Sequence, residues 1–302
     1  MSEQQSATRC GFVAVVGAPN AGKSTLVNAL VGQKVAIVSP KAQTTRARLM
    51  GIAIEGASQM LLIDTPGIFE AKRRLDRAMV AAAWGGAEDA DLVALVIDAR
   101  EGLKPRTAAI VESVKARREP KLLILNKVDV ADKGRLLELA KKLDEALDPE
   151  AILMVSAATG DGVADLRRYL ADRVPEGPWH FPEDQVSDAT ERMLAAEVTR
   201  EQLYLQLHAE LPYASAVETE KYEERRDGSV AIHQQILVAR DTQKAIILGA
   251  RGSRLKEIGS RARAEMQRLM ERKVHLFLHV KVNPKWEEDR GLYKEIGLDW
   301  VE

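Results

Sequence analysis

Residues 17–24 read GAPNAGKS: Gly17 and Gly22 bracket four residues, and Lys23 and Ser24 follow at once. The apolar run FVAVV leads in and the helical pattern STLVNALV leads out, so the stretch joins a strand to a helix. That is the setting of a G-x-x-x-x-G-K-[ST] phosphate loop. The glycines let the N–H groups of Gly17, Ala18, Ala21 and Gly22 turn inward around phosphate oxygens, and the helix from Lys23 through Ser24 and Thr25 presents unpaired N–H groups and a positive dipole end. Lys23 reaches the outer phosphates as a point charge, and the Ser24 hydroxyl suits Mg2+. Asn20, in the middle of the loop, is left to explain.

The chain of 302 residues favours two domains over one. Its 44 Lys and Arg balance 45 Asp and Glu for a net charge of −1, so overall charge points to neither a polyanion nor a membrane. A single cysteine, Cys10, cannot form an internal disulfide and fits a reducing, cytoplasmic setting. The sequence shows no basic start followed by an apolar stretch, hence no expected signal peptide, and no apolar run of about 18 residues.

From residue 8 to residue 174 short apolar runs (FVAVVG, MLLID, DLVALVID, KLLILNK, AILMVSA) mostly alternate with amphipathic helical stretches. This predicts an α/β domain whose mixed, mostly parallel sheet carries helices on both faces. In RLMGIAIEGASQMLLID only EGAS separates two strand-like runs, which predicts a hairpin and one antiparallel edge strand. PEGPWHFPED at 175–184 cannot continue a helix or central strand, so residues 175–187 read as a linker. Residues 188–284 follow the order helix, strand, strand, helix, helix, strand, an α+β pattern with a hairpin signal at Asp227-Gly228. The tail, 285–302, carries no clear signal beyond Trp286 and Trp300, which with Trp84 read as packing anchors.

Three further motifs follow strands of the first region. ILNKVD ends in Asn126, Lys127 and Asp129. A carboxylate accepts two charge-assisted bonds from the paired N–H donors of guanine, whereas adenine offers it an acceptor and a C–H. Asp129 therefore selects guanine, with the stem of Lys127 lying along the base. In DTPG, Asp64 would bind Mg2+, through a water, and the Gly67 N–H would meet the γ-phosphate. Of the two threonines in QTTR, Thr45 is favoured over Thr44 to complete the Mg2+ shell. Ser156 and Ala157 end the last strand with small residues, which suits a backbone N–H near the guanine oxygen.

Together these motifs resemble the small GTP-binding domains of the translation-factor class. In Ras-like members a glutamine after the DxxG glycine orients the attacking water. Ile68 stands there instead, so either hydrolysis is slow or another element supplies charge. Asn20 has two readings: it shapes the loop, or its side-chain oxygen helps hold K+ against the phosphates, as in potassium-stimulated GTPases. The residues assigned to catalysis are Lys23, Asn20, Thr45 and Gly67.

The second region is locally basic: residues 240–273 hold ten Lys or Arg and four Asp or Glu. At its centre, Gly249-Ala250-Arg251-Gly252 lies between two helical pieces. With the element order, this resembles the type II K-homology (KH) module, whose GXXG loop clamps about four nucleotides of single strand. The RNA-binding residues on this reading are Lys244, Gly249, Ala250, Arg251, Gly252, Arg254 and Lys256, with Ile246, Ile247, Leu255 and Ile258 fixing the helices and flooring a groove. The alternative is a basic helix pair that only packs. His275, Phe277 and Lys281 share one strand face, bordering that groove or packing on the linker.

A GTP-binding domain, a proline-containing linker and a KH domain in one chain, with KAQTTR, ELPY at 210–213 and ILGARGSRLKEIG, resemble the Era family. The resemblance implies a GTPase turning GTP into GDP and phosphate, slowly and with Mg2+, that binds the 3′ end of 16S ribosomal RNA and assists 30S subunit assembly. It also carries peripheral inner-membrane association, for which no strong basic amphipathic helix is found; separately, a monomer is expected. Two rivals stay open: an RNA-binding protein holding GTP as a structural ligand, and a metabolic P-loop ATPase or kinase.

Overall fold

A computed structural model describes residues 7–88 and 90–301. It divides the chain into two compact units, one running to Ala36 and from Thr45 to Asp188, the other comprising Ile37–Thr44 and the chain from Ala189 onward.

The first unit is built on a six-stranded sheet of order β2-β3-β1-β4-β5-β6. Its strands are β1 (Arg9–Gly17), β2 (Leu49–Glu55), β3 (Ser58–Asp64), β4 (Leu92–Asp98), β5 (Lys121–Asn126) and β6 (Ala151–Val155). Every pairing is parallel except β2 with β3, the hairpin that EGAS announces. The helices are α1 (Lys23–Val31), α2 (Arg74–Glu88), α3 (Pro105–Lys115), α4 (Lys133–Leu147) and α5 (Val163–Arg173). Two apolar layers form, one per sheet face. One joins Val13, Val15, Leu62 and Val96 to Leu26 and Leu166, and the other joins Ala14, Val16, Leu95 and Leu123 to Ile110 and Leu143. That both faces are covered explains why the central strands read as continuous apolar runs. The chain leaves β1 toward β3 on one side and β4 on the other, and a crevice at the carboxyl ends of such strands receives ligands in this class of sheet.

The stretch 175–188 is packed within this unit. Trp179 Nε1 donates to Ala57 O at 3.0 Å, and the Gln59 side chain accepts from His180 N and donates to Phe181 O. Further on, Ile52 N donates to Val186 O at 2.9 Å and Ser187 Oγ to Met50 O at 2.8 Å, so the segment occupies the open side of edge strand β2. An edge whose N–H and C=O groups are satisfied in this way no longer invites another strand.

In the second unit, α6 (Glu191–Gln206), β7 (Ser215–Glu224), β8 (Val230–Val238), α7 (Asp241–Leu248), α8 (Ser253–Leu269) and β9 (Val274–Val282) follow the expected order. The sheet β7-β8-β9 is antiparallel, then parallel. Leu203, Ile236, Ile247, Ile258 and Val280 make its core. The tail adds α9 (Arg290–Glu295) and buries Trp286, Leu292, Tyr293 and Leu298. Segment Ile37–Thr44 lies on α6: Glu201 Oε1 accepts from Val38 N at 2.9 Å, the Tyr204 hydroxyl donates to Gln43 O at 3.1 Å, and Lys41 Nζ donates to Tyr204 O. Among the described residues, no helix is long and apolar enough to cross a membrane.

Candidate functional site

The phosphate loop closes around its own lysine. Lys23 is buried, and its ammonium donates to Gly17 O at 3.3 Å and Ala18 O at 3.1 Å. Burial pushes its pKa down to about 8, against the pull of the Asp64 carboxylate and with help from the nearby charge of Arg106. A phosphate bound beside Lys23 requires the ammonium form. Above pH 8 the free protein therefore takes up a proton on binding. The affinity for GDP is expected to be flat below pH 8 and to fall above it, toward about tenfold per pH unit. Titration calorimetry at pH 7, 8 and 9 in buffers of different ionisation enthalpy checks both the slope and the proton.

Three oxygen-bearing side chains converge beyond the lysine. Ser24 Oγ lies 2.6 Å from Asp64 Oδ2 and 2.8 Å from Thr45 Oγ1, and Thr45 Oγ1 lies 3.2 Å from the same carboxylate oxygen. They come from the start of α1, the end of β3 and the QTTR loop. Thr44 turns elsewhere, its hydroxyl donating to Lys41 O at 2.9 Å. Two hydroxyls and a carboxylate are all hard oxygen donors, and a set of so few protein ligands suits Mg2+, which keeps waters and phosphate oxygens in its shell. The residues therefore fit the ion. Gly67 follows in DTPG, and a Cβ there would stand 2.7 Å from Pro19, so only glycine lets this backbone lie against the phosphate loop. The next N–H, of Ile68, donates to Gly17 O at 3.0 Å.

Asn126 stitches three loops together. Its amide nitrogen donates to Ala21 O at 2.9 Å, and its oxygen accepts from Lys127 N at 2.8 Å and Ala157 N at 3.0 Å. Gly22 makes this approach possible: at φ 93 it has no side chain, and a Cβ would stand 2.3 Å from Asn126 Nδ2. The N–H of Ala157 is thus engaged by Asn126 here, while Ser156 is buried and its backbone is bonded to Asp161 and Gly160. Lys127 Nζ is held by Asn20 O and, at 2.7 Å, by Asp98 Oδ2. Burial raises the Asp98 carboxyl, but bonds from Arg100 and Lys127 outweigh it and hold the group below the usual carboxylate range. Asp98 and the scaffolding by Asn126 are features the motif reading missed; the acidic end of β4 beside the lysine motif was the available signal. Asp129 is exposed in the one-turn helix Val128–Val130, and Asn20, at φ 64, is exposed at the tip of the phosphate loop.

In the second unit the GARG stretch is a single tight turn between α7 and α8. Gly249, Arg251 and Gly252 all have positive φ, and Arg251 sits at φ 53, ψ 29. Ala250, Arg251, Arg254 and Lys256 are exposed, and Lys244 is half-buried. Arg254 also has a structural task, donating to Ile246 O at 2.9 Å across the turn. The four apolar residues expected to floor a groove divide: Ile247 and Ile258 are core, Leu255 is half-buried and Ile246 is 48% exposed beside the turn. On β9, Phe277 is exposed and stacks on His233 with ring centroids 4.5 Å apart.

Family models match in the same two places: that of a 50S ribosome-binding GTPase over residues 12–127 and that of a KH domain over residues 210–287. The chain is 59% identical over 298 residues to GTPase Era of Erythrobacter litoralis, covering 97% of this chain and 98% of that one. The chain belongs to the Era family of GTPases. Era of Brucella suis is 57% identical over 293 residues, covering 97% and 94%. Among solved structures, an Era variant of Aquifex aeolicus bound to GDP·AlF4− superposes with a TM-score of 0.91 at 37% identity, over 96% of this chain and 99% of that one. An Era complex with MgGDPNP and nucleotides 1506–1542 of 16S ribosomal RNA gives a TM-score of 0.90 at 37% identity, with the same coverage.

Proposed function

We propose that this chain is a GTP-hydrolysing switch that binds the 3′ end of 16S ribosomal RNA in the cytoplasm and assists assembly of the 30S subunit. The observation that carries the reading is the meeting of Ser24, Thr45 and Asp64 behind a phosphate loop, in one chain with an exposed, basic GARG turn. The Era relative solved with MgGDPNP and 16S RNA aligns with 96% of this chain and supports the RNA assignment. On this reading Mg2+ supplies charge to the phosphates and is held by Ser24 and Thr45, with Asp64 acting through water. Lys23 and the loop N–H groups hold the phosphates, Asp129 accepts from guanine, and Lys127, kept straight by Asp98, flanks the base. The functional regions are 8–174 and 188–284.

Crosslinking to cellular RNA with GTP or GDP bound, followed by sequencing of the footprint, tests the partner. A footprint outside the small-subunit 3′ end refutes it. Multiple-turnover phosphate release with and without RNA separates a switch from a protein that keeps GTP as a structural ligand.

Asn20 gives a further expectation. If its side-chain oxygen helps hold a monovalent cation, hydrolysis is faster in potassium than in sodium, and Asn20→Ala removes the difference. Equal rates of the unaltered protein in both salts would leave Asn20 a loop-shaping role alone.

A further inference from the structure

Arg106 is the second residue of α3. Its Nη2 donates to Ile68 O at 3.4 Å, and its charge is felt at Lys23, whose pKa it lowers. Ile68 is the residue directly after Gly67, where the water-orienting glutamine is missing, and its N–H is fastened to the phosphate loop. The guanidinium therefore stands over the edge of the pocket that receives the outer phosphate. Two cations approaching one another, with Asp64 as the carboxylate whose pull on Lys23 opposes them, are unfavourable in the free protein. A polyanion between them reverses the sign of that interaction. The bond to the Ile68 carbonyl is long for its kind, and a charged phosphoryl oxygen competes with it easily.

We propose that Arg106 is an arginine supplied in cis to the γ-phosphoryl group. In hydrolysis, water oxygen bonds to the γ-phosphorus as the bond to the bridging oxygen breaks. The electron pair goes to the β-phosphate of GDP, and the proton of the water leaves with inorganic phosphate or solvent. Charge spreads over the transferring oxygens and the leaving oxygen. The Arg106 guanidinium moves from the Ile68 carbonyl to these oxygens and stabilises them most when their charge is changing. This is a role separate from a monovalent cation at Asn20, so the effect of Arg106 is the same in potassium and in sodium.

The inference rests on GTP hydrolysis by this domain, and the unaltered protein in the same assay tests that first. Single-turnover hydrolysis and binding of GDP with and without aluminium fluoride are measured for the full chain and for Arg106→Gln. Glutamine removes the charge and, ending two bonds short of Nη2, also gives up the bond to the Ile68 carbonyl. The variant is expected to hydrolyse GTP about 10- to 100-fold more slowly, below the effect of a fully enclosed arginine finger because Arg106 is exposed. Its affinity for GDP is expected to stay within about twofold, while the gain from aluminium fluoride shrinks by the same factor as the rate. Hydrolysis by Arg106→Gln at the unaltered rate would overturn the proposal. An equal loss of affinity for GDP with and without fluoride would overturn it too.

Discussion

Asp129→Asn is expected to weaken GTP binding by about a thousandfold or more, on the scale by which a site built for hydrogen bonds rejects a mismatched partner. The carboxylate is exposed in a one-turn helix and carries no part of the core, so the fold survives its replacement. The loss comes from chemistry at one edge of the base. A carboxylate accepts from both N–H groups of guanine, whereas an amide turns one acceptor into a donor facing a donor. Xanthine has a carbonyl where guanine has its amino group, so the same variant is expected to bind xanthosine triphosphate more tightly than GTP. Competition of GTP, XTP and ATP against a fluorescent nucleotide measures all three. If Asp129→Asn keeps GTP affinity within a few-fold, the base does not lie against this residue.

The second large effect is expected at the GARG turn. Replacing Ala250 and Arg251 together by Asp puts two carboxylates where a sugar–phosphate backbone must approach. Aspartate tolerates the left-handed conformation that Arg251 occupies, so the turn keeps its shape. Affinity for an oligonucleotide of the 16S 3′ end is expected to fall by about a hundredfold or more, and the slope of log K against log salt to drop by about one for the lost cation. GTP binding is expected to be unchanged. Filter binding at several salt concentrations tests this, and unaltered RNA affinity in the double variant would move the RNA off this turn.

Much of this was legible because the informative residues lie close together in sequence. The phosphate loop, DTPG and NKVD are each a strand end with a turn behind it, and a parallel sheet gathers strand ends into one row. The helix–strand order of the second unit was readable for a similar reason: periodicity is local. What escaped depends on contacts between distant positions. The proline-containing stretch 175–187 looks like a spacer because Pro and Gly forbid regular structure, yet N–H and C=O groups near its end pair with the edge of β2. Asn126 has the sequence of a base-reading motif, but its amide is spent on Ala21, Lys127 and Ala157, residues far apart along the chain. In the tail, Trp286 reads as a packing anchor from its residue type and is buried, whereas the neighbouring helix α9 is too short for periodicity to reveal.

The loop ahead of β2 passes from one unit to the other at Ala36/Ile37 and back at Thr44/Thr45. Residues Ile37–Thr44 rest on α6, and Thr45 stands beside Ser24 and Asp64. Consecutive Cα atoms are fixed at about 3.8 Å by covalent geometry, and that span does not stretch. The φ and ψ rotations of Thr44 and Gln43, whose carbonyl accepts from the Tyr204 hydroxyl, instead take up a motion of Thr45.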